Sequence, residues 1–128
     1  MVRKAAFVVL IDDEAIVLET MKLLLQRSGF EVLAASSAED AVAALAPFGK
    51  DPDVIIADHR LADYKAGTDA IRLIRKFTGQ SIAGIIITGD TSSRLIQDVQ
   101  ASGIRIMHKP VQAETLKNVI NDIRARGS

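Results

Sequence analysis

Five short apolar runs, each followed by a longer amphipathic stretch, constrain the fold of this chain more than any other feature. The runs are Ala6–Ile11, Val32–Ala35, Val54–Ala57, Ile82–Thr88 and Ile104–Met107. They are continuous rather than alternating and rich in β-branched residues, so they predict strands covered on both faces. Between them, apolar residues recur at helical spacing: Val17/Leu18, Met21 and Leu24/Leu25; Ala38, Ala41/Val42 and Leu45; Ala70/Ile71, Ile74 and Phe77; Leu95/Ile96 and Val99; Leu116, Val119/Ile120 and Ile123. Each set predicts one helix with one buried stripe. Gly29, Gly79 and Gly103 fall just after helices, where a left-handed residue ends the turn. Ser37-Ala38-Glu39-Asp40 has the form of a capping box, and Thr68 and Thr91 or Ser92 are candidate caps of the third and fourth helices. Pro47 and Pro52 bracket the loop before the third strand. Strictly alternating strand–helix units predict an α/β fold, a doubly wound parallel sheet with right-handed crossovers and helices on both faces.

The 128 residues suit a single domain spanning 1–128. Sixteen Lys+Arg balance sixteen Asp+Glu, which argues against a bulk electrostatic grip on nucleic acid or acidic lipid. With Cys 0, thiol catalysis, disulfide scaffolds and Cys-based zinc sites are excluded. His59 and His108 are too few for a His-rich metal site and read as surface or packing residues. Arg3-Lys4 and the apolar run after it resemble the start of a signal peptide, but the run stops at Asp12-Asp13-Glu14 without a small-residue cleavage site. No run approaches the roughly 18 apolar residues of a membrane span. The expectation is a cytoplasmic chain without membrane contact.

In open parallel sheets, ligands sit beyond the carboxyl ends of the strands. There the sequence places Asp12-Asp13-Glu14, Asp58, Thr88-Gly89-Asp90 and His108-Lys109-Pro110. Clustered carboxylates raise one another's pKa, and a hard divalent cation resolves the repulsion. Oxygen-only ligands on an open site suit Mg²⁺. A carboxylate can also attack a phosphoryl group to form an acyl phosphate, provided that cations and hydrogen-bond donors neutralise the transferring oxygens. Asp58, Mg²⁺, Lys109 and Thr88 would supply those parts.

These strand-end residues, taken in order, resemble the receiver domain of two-component response regulators over essentially the whole chain. The resemblance implies a flavodoxin-like (βα)5 sheet of order 2-1-3-4-5. It implies that Asp58 accepts a phosphoryl group from a phosphohistidine, so that the partner is a histidine kinase or a histidine phosphotransfer domain, and that the domain promotes its own phosphorylation and dephosphorylation. Asp13, Asp58 and the backbone carbonyl of Arg60 would bind Mg²⁺ directly, and Asp12 through water. Lys109 would pair with one phosphoryl oxygen and Thr88 would move to bond another, with a cis Lys109–Pro110 bond typical of the family. The phrases Ala57-Asp58-His59-Arg60-Leu61, Ile87-Thr88-Gly89-Asp90-Thr91-Ser92 and Met107-His108-Lys109-Pro110-Val111 are similar to receivers at the C-terminus of hybrid histidine kinases.

Two positions depart from the family pattern. Many receivers carry Pro four residues after the acceptor and Gly four beyond that; here position 62 is Ala and the glycine is Gly67, so the loop is one residue longer. Where the family often has an aromatic three residues before the lysine, this chain has Ile106, and conventional Thr/Tyr switching cannot operate as such. By the same resemblance, Arg60, Gly89 and Asp90 would rim the site. An Arg60–Asp90 pair across it is expected to slow hydrolysis of the acyl phosphate, against the alternative of two independent solvated charges.

Other functions fit less well. A haloacid-dehalogenase-like phosphatase wants Asp-x-Asp-x-Thr/Val, whereas the order is Asp12-Asp13-Glu14-Ala15-Ile16, with no room for a cap domain. A degenerate receiver acting as a phosphorylation-independent binding module is opposed by the complete acidic set. No GxGxxG or GxxxxGK[ST] occurs to bind a nucleotide. Apolar and small residues near the fourth helix and fifth strand would allow a homodimer, although Ile104 and Ile106 read better as core.

Overall fold

A computed structural model describes residues 5–59, 66–89, 97, 99–101 and 103–127. The elements are β1 (Phe7–Ile11), α1 (Ala15–Arg27), β2 (Glu31–Ala35), α2 (Ala38–Leu45), β3 (Val54–Asp58), α3 (Gly67–Thr78) and β4 (Ala83–Thr88). They are followed by α4, whose described helical residues are 97 and 99–101, then β5 (Ile104–His108) and α5 (Ala113–Gly127). A 3-10 turn at Ala46–Phe48 carries Pro47 and follows α2 directly. All strand pairs are parallel and the sheet order is β2-β1-β3-β4-β5, as expected.

Alternation of side chains along each strand divides the core into two layers. Val9, Ile11, Ile55, Ala57 and Ile86 face α2 and α3 with Ala41, Ile71 and Ile74. Val8, Leu10, Ile56, Ile85 and Ile87 face the other way, against Leu25 of α1 and Leu116 and Ile120 of α5. β1 and β3 are buried along their whole length, as continuous apolar runs require. β2 and β5 are not: each has a neighbour on one edge only, and β5 opens progressively from Ile104 to His108. Ile104 is core, and Ile106 is partly buried and packs against the same layer as Ile86.

Gly29, Gly79 and Gly103 adopt φ of 93°, 70° and 70°, the left-handed region for which the sequence selects them. Ser37 Oγ accepts from the Asp40 N–H at 3.1 Å and caps α2. Thr68 does not cap α3, whose N-cap is Ala66. The helix starts at Gly67, a position that only glycine fits, since a Cβ there would lie 2.1 Å from the Asp58 carbonyl oxygen. The Gly67 N–H donates to the His59 carbonyl at 2.9 Å, so backbone takes the place of a capping side chain. Leu24 and Phe77 were expected in buried stripes, but stand 40% and 47% exposed. The core is filled without them, by Leu25 in α1 and by Ile71 and Ile74 in α3. Thr91, Ser92, Leu95 and Ile96 lie outside the described residues.

Candidate functional site

Asp12 is the first residue beyond β1, where its N–H still donates to the Ala35 carbonyl at 3.2 Å. Its Oδ1 accepts from the Glu14 N–H at 2.9 Å, a local turn that swings the chain from β1 into α1 and fixes the carboxylate. Asp58 ends β3 and lies opposite Ile87 of β4. Asp12 and Asp58 are 5% and 8% exposed, and Asp13 is open to solvent. One carboxylate oxygen from each of the three lies within 4.8 Å of the others.

Lys109 follows β5, held there by its N–H donating to the Thr88 carbonyl at 2.9 Å. Its Nζ donates to Asp58 Oδ2 at 3.2 Å. The peptide bond from Lys109 to Pro110 is cis. Burial pushes the Asp12 carboxyl above the ordinary aspartate range; the Glu14 N–H opposes that shift and the charge of Asp58 adds to it. The donor set fits a hard divalent cation. All three ligand groups are carboxylate oxygens, two residues are buried and Asp13 is exposed, and the charge of Asp58 already works against that of Asp12.

Thr88 ends β4, is 1% exposed, and its Oγ1 lies 3.2 Å from His59 Nδ1. Sequence reasoning treated His59 as a surface or packing residue and missed this contact. The contact follows from the parallel register, in which Asp58 opposite Ile87 places His59 beside Thr88. Gly89 follows exposed, with open space where a side chain would stand. Ile16, 83% exposed in the first turn of α1, also escaped notice; it is an apolar side chain offered to solvent three residues from Asp13. Arg60 and Asp90, the expected rim pair, and Leu61 and Ala62 lie outside the described residues. Among the described residues no helix is long and apolar enough to cross a membrane.

Comparison with known proteins agrees with this arrangement. Residues 8–121 match the family model of the response regulator receiver domain. The transcriptional regulatory protein AruR of Pseudomonas aeruginosa is 31% identical over 127 residues, covering 91% of this chain and 50% of that protein. The chain therefore spans half the length of that curated relative. Among solved structures, a response regulator receiver domain protein of Clostridium thermocellum superposes with a TM-score of 0.82 at 32% identity, covering 95% of this chain and 96% of that one. The chemotaxis protein CheY4 of Vibrio cholerae superposes with a TM-score of 0.81 at 25% identity, covering 93% and 98%.

Proposed function

This chain belongs to the response regulator receiver domain family, and from that premise we propose that Asp58 is its phosphoacceptor, charged from a phosphohistidine of a histidine kinase or histidine phosphotransfer domain. The observation that carries the reading is the Asp58 carboxylate itself. It is nearly buried at a strand end, ion-paired to Lys109 at 3.2 Å, and beside two further carboxylates. In the transfer, an Asp58 oxygen forms a bond to phosphorus as the N–P bond of the donor breaks. The electron pair stays on the departing imidazole nitrogen, which takes up a proton.

Lys109 neutralises Asp58 before the transfer and a phosphoryl oxygen after it. The Thr88 hydroxyl and the Gly89 N–H stand at the end of β4 as donors for the remaining oxygens. Asp12, Asp13 and Asp58 would hold Mg²⁺, which when bound supplies positive charge to the transferring oxygens. Asp12 keeps its orientation through the Glu14 N–H. Ile16, exposed in the first turn of α1 three residues after Asp13, would offer a docking partner an apolar contact.

The test is to incubate the chain with Mg²⁺ and a small acyl phosphate donor, then assay for an acid-stable, alkali-labile phosphoryl group. The native chain is expected to carry it and Asp58→Asn to lack it. A native chain that stays unmodified, or an Asp58→Asn variant modified equally, would overturn the reading. The first outcome would favour a phosphorylation-independent binding module.

A further inference from the structure

We propose that His59 is the positioning residue of Thr88: it holds the Thr88 hydroxyl on the α3 side of the sheet, and charging Asp58 requires that bond to be given up. The inference rests on the phosphoacceptor reading of Asp58 above. It begins with the pleat. Ile55 and Ala57 of β3 and Ile86 of β4 belong to the layer facing α2 and α3, so by alternation His59 and Thr88 point to that side as well. Val54 and Ile56 belong to the opposite layer, which places the Asp58 side chain on the α1 side together with Lys109, its ion-pair partner. The acceptor carboxylate and the Thr88 hydroxyl thus start on different faces of the strand ends.

His59 is well fixed for this role. Its N–H donates to the Ile87 carbonyl at 2.9 Å, extending the β3–β4 pairing one residue past the acceptor. Its carbonyl accepts from the Gly67 N–H at 2.9 Å, tying it to the first residue of α3. With the backbone held at both groups, Nδ1 sits 3.2 Å from Thr88 Oγ1. Thr88 is buried, and a buried hydroxyl requires a directed partner. Ile106, two residues before His108 and opposite Ile86, is aliphatic and has no polar group to offer that hydroxyl. The hydroxyl is here assigned the donor role in this contact, which requires the tautomer with its ring proton on Nε2. A phosphoryl group on Asp58 introduces acceptor oxygens that compete for the same hydroxyl proton.

Affinity for beryllofluoride, a phosphoryl mimic, measured with Mg²⁺ in a double-mutant cycle tests the coupling. Removing the resting-state bond in His59→Leu should tighten beryllofluoride binding about three- to tenfold, the equivalent of one neutral hydrogen bond. The change should vanish in a Thr88→Val background. His59→Asn, whose amide can place a polar atom near the position of Nδ1, should restore native affinity. Independently of any ligand, ¹⁵N spectra of the chain in chelator should show an unprotonated Nδ1 whose shift moves in Thr88→Val.

An equal effect of His59→Leu in both backgrounds, no effect in either, or a ring signal indifferent to Thr88→Val would overturn the inference. A native chain that takes up no beryllofluoride would instead bring down the phosphoacceptor reading, and this inference with it.

Discussion

At the amino end of the sheet, the Phe7 N–H donates to Asp53 at 2.7 Å, and Asp122 of α5 pairs with Arg105 of β5 at 3.0 Å and with Arg126 at 3.3 Å. At the carboxyl end, Asp12, Asp13 and Asp58 crowd within 4.8 Å and face Lys109. The residue types are alike at both ends, but their electrostatic states are opposite. The hydrogen bond from Arg105 holds the Asp122 carboxyl below the usual aspartate range, while burial and the charge of Asp58 push that of Asp12 above it. The formal net charge of zero conceals this polarity. Asp122 at the amino end is paired with Arg105 and Arg126, and its charge favours the folded chain. At the carboxyl end, burial and the charge of Asp58 work against the charge of Asp12, an arrangement that suits the proposed site for a cation and a phosphoryl group.

The largest expected effect comes from removing the cation at the acidic end. Lys109→Ala should slow phosphoryl uptake from a small donor by about 10²–10³-fold, the scale of one lost charge-stabilising donor. An uptake rate within a few-fold of native would mean that Lys109 is only a solvated charge. Next in size is Gly67→Ala, because the new Cβ would meet the Asp58 carbonyl oxygen at 2.1 Å and Ile86 at 2.9 Å. It should destabilise the chain by about 2–3 kcal/mol in denaturant unfolding, as overpacking does. A neutral result would show that α3 can move away from Asp58 freely.

The position of Gly67 shows how far the sequence could be read. Spacing marked it as a displaced family glycine, but its reason is a close approach of two backbones, and spacing carries no such distance. The strand–helix alternation, the left-handed glycines and the gathering of Asp12, Asp58, Thr88 and Lys109 at one edge were legible, because they follow from period and order alone. The His59–Thr88 contact was not. It joins residues 29 apart, and it requires the register between two parallel strands, which hydrophobic pattern does not specify. The exposure of Leu24 and Phe77 was hidden for a related reason, since periodicity gives the apolar face of a helix but not its width.

The smallest effects are expected at the paired end. A depressed carboxyl contributes stability that is present above its unfolded value and lost as pH falls through its folded one. Asp122→Asn should therefore lower the midpoint slightly at neutral pH, and the difference from native should disappear in acid. Asp12 has the opposite sign. Its raised carboxyl penalises the folded chain at neutral pH, and the penalty fades as pH falls through the folded value and is gone below 3.8. A pair of variants shifting in the same direction would break the contrast between the two ends.

The most direct test of that contrast is thermal unfolding of the native chain and Asp12→Asn at neutral pH, each in chelator and in millimolar Mg²⁺. Asn keeps an oxygen to accept the Glu14 N–H while removing the buried charge. In chelator, Asp12→Asn should be the more stable, by about 1 kcal/mol, the common scale for relief of a charge conflict. Mg²⁺ should stabilise the native chain and do less for the variant. A variant less stable than native in chelator, or a native chain indifferent to Mg²⁺, would contradict the account.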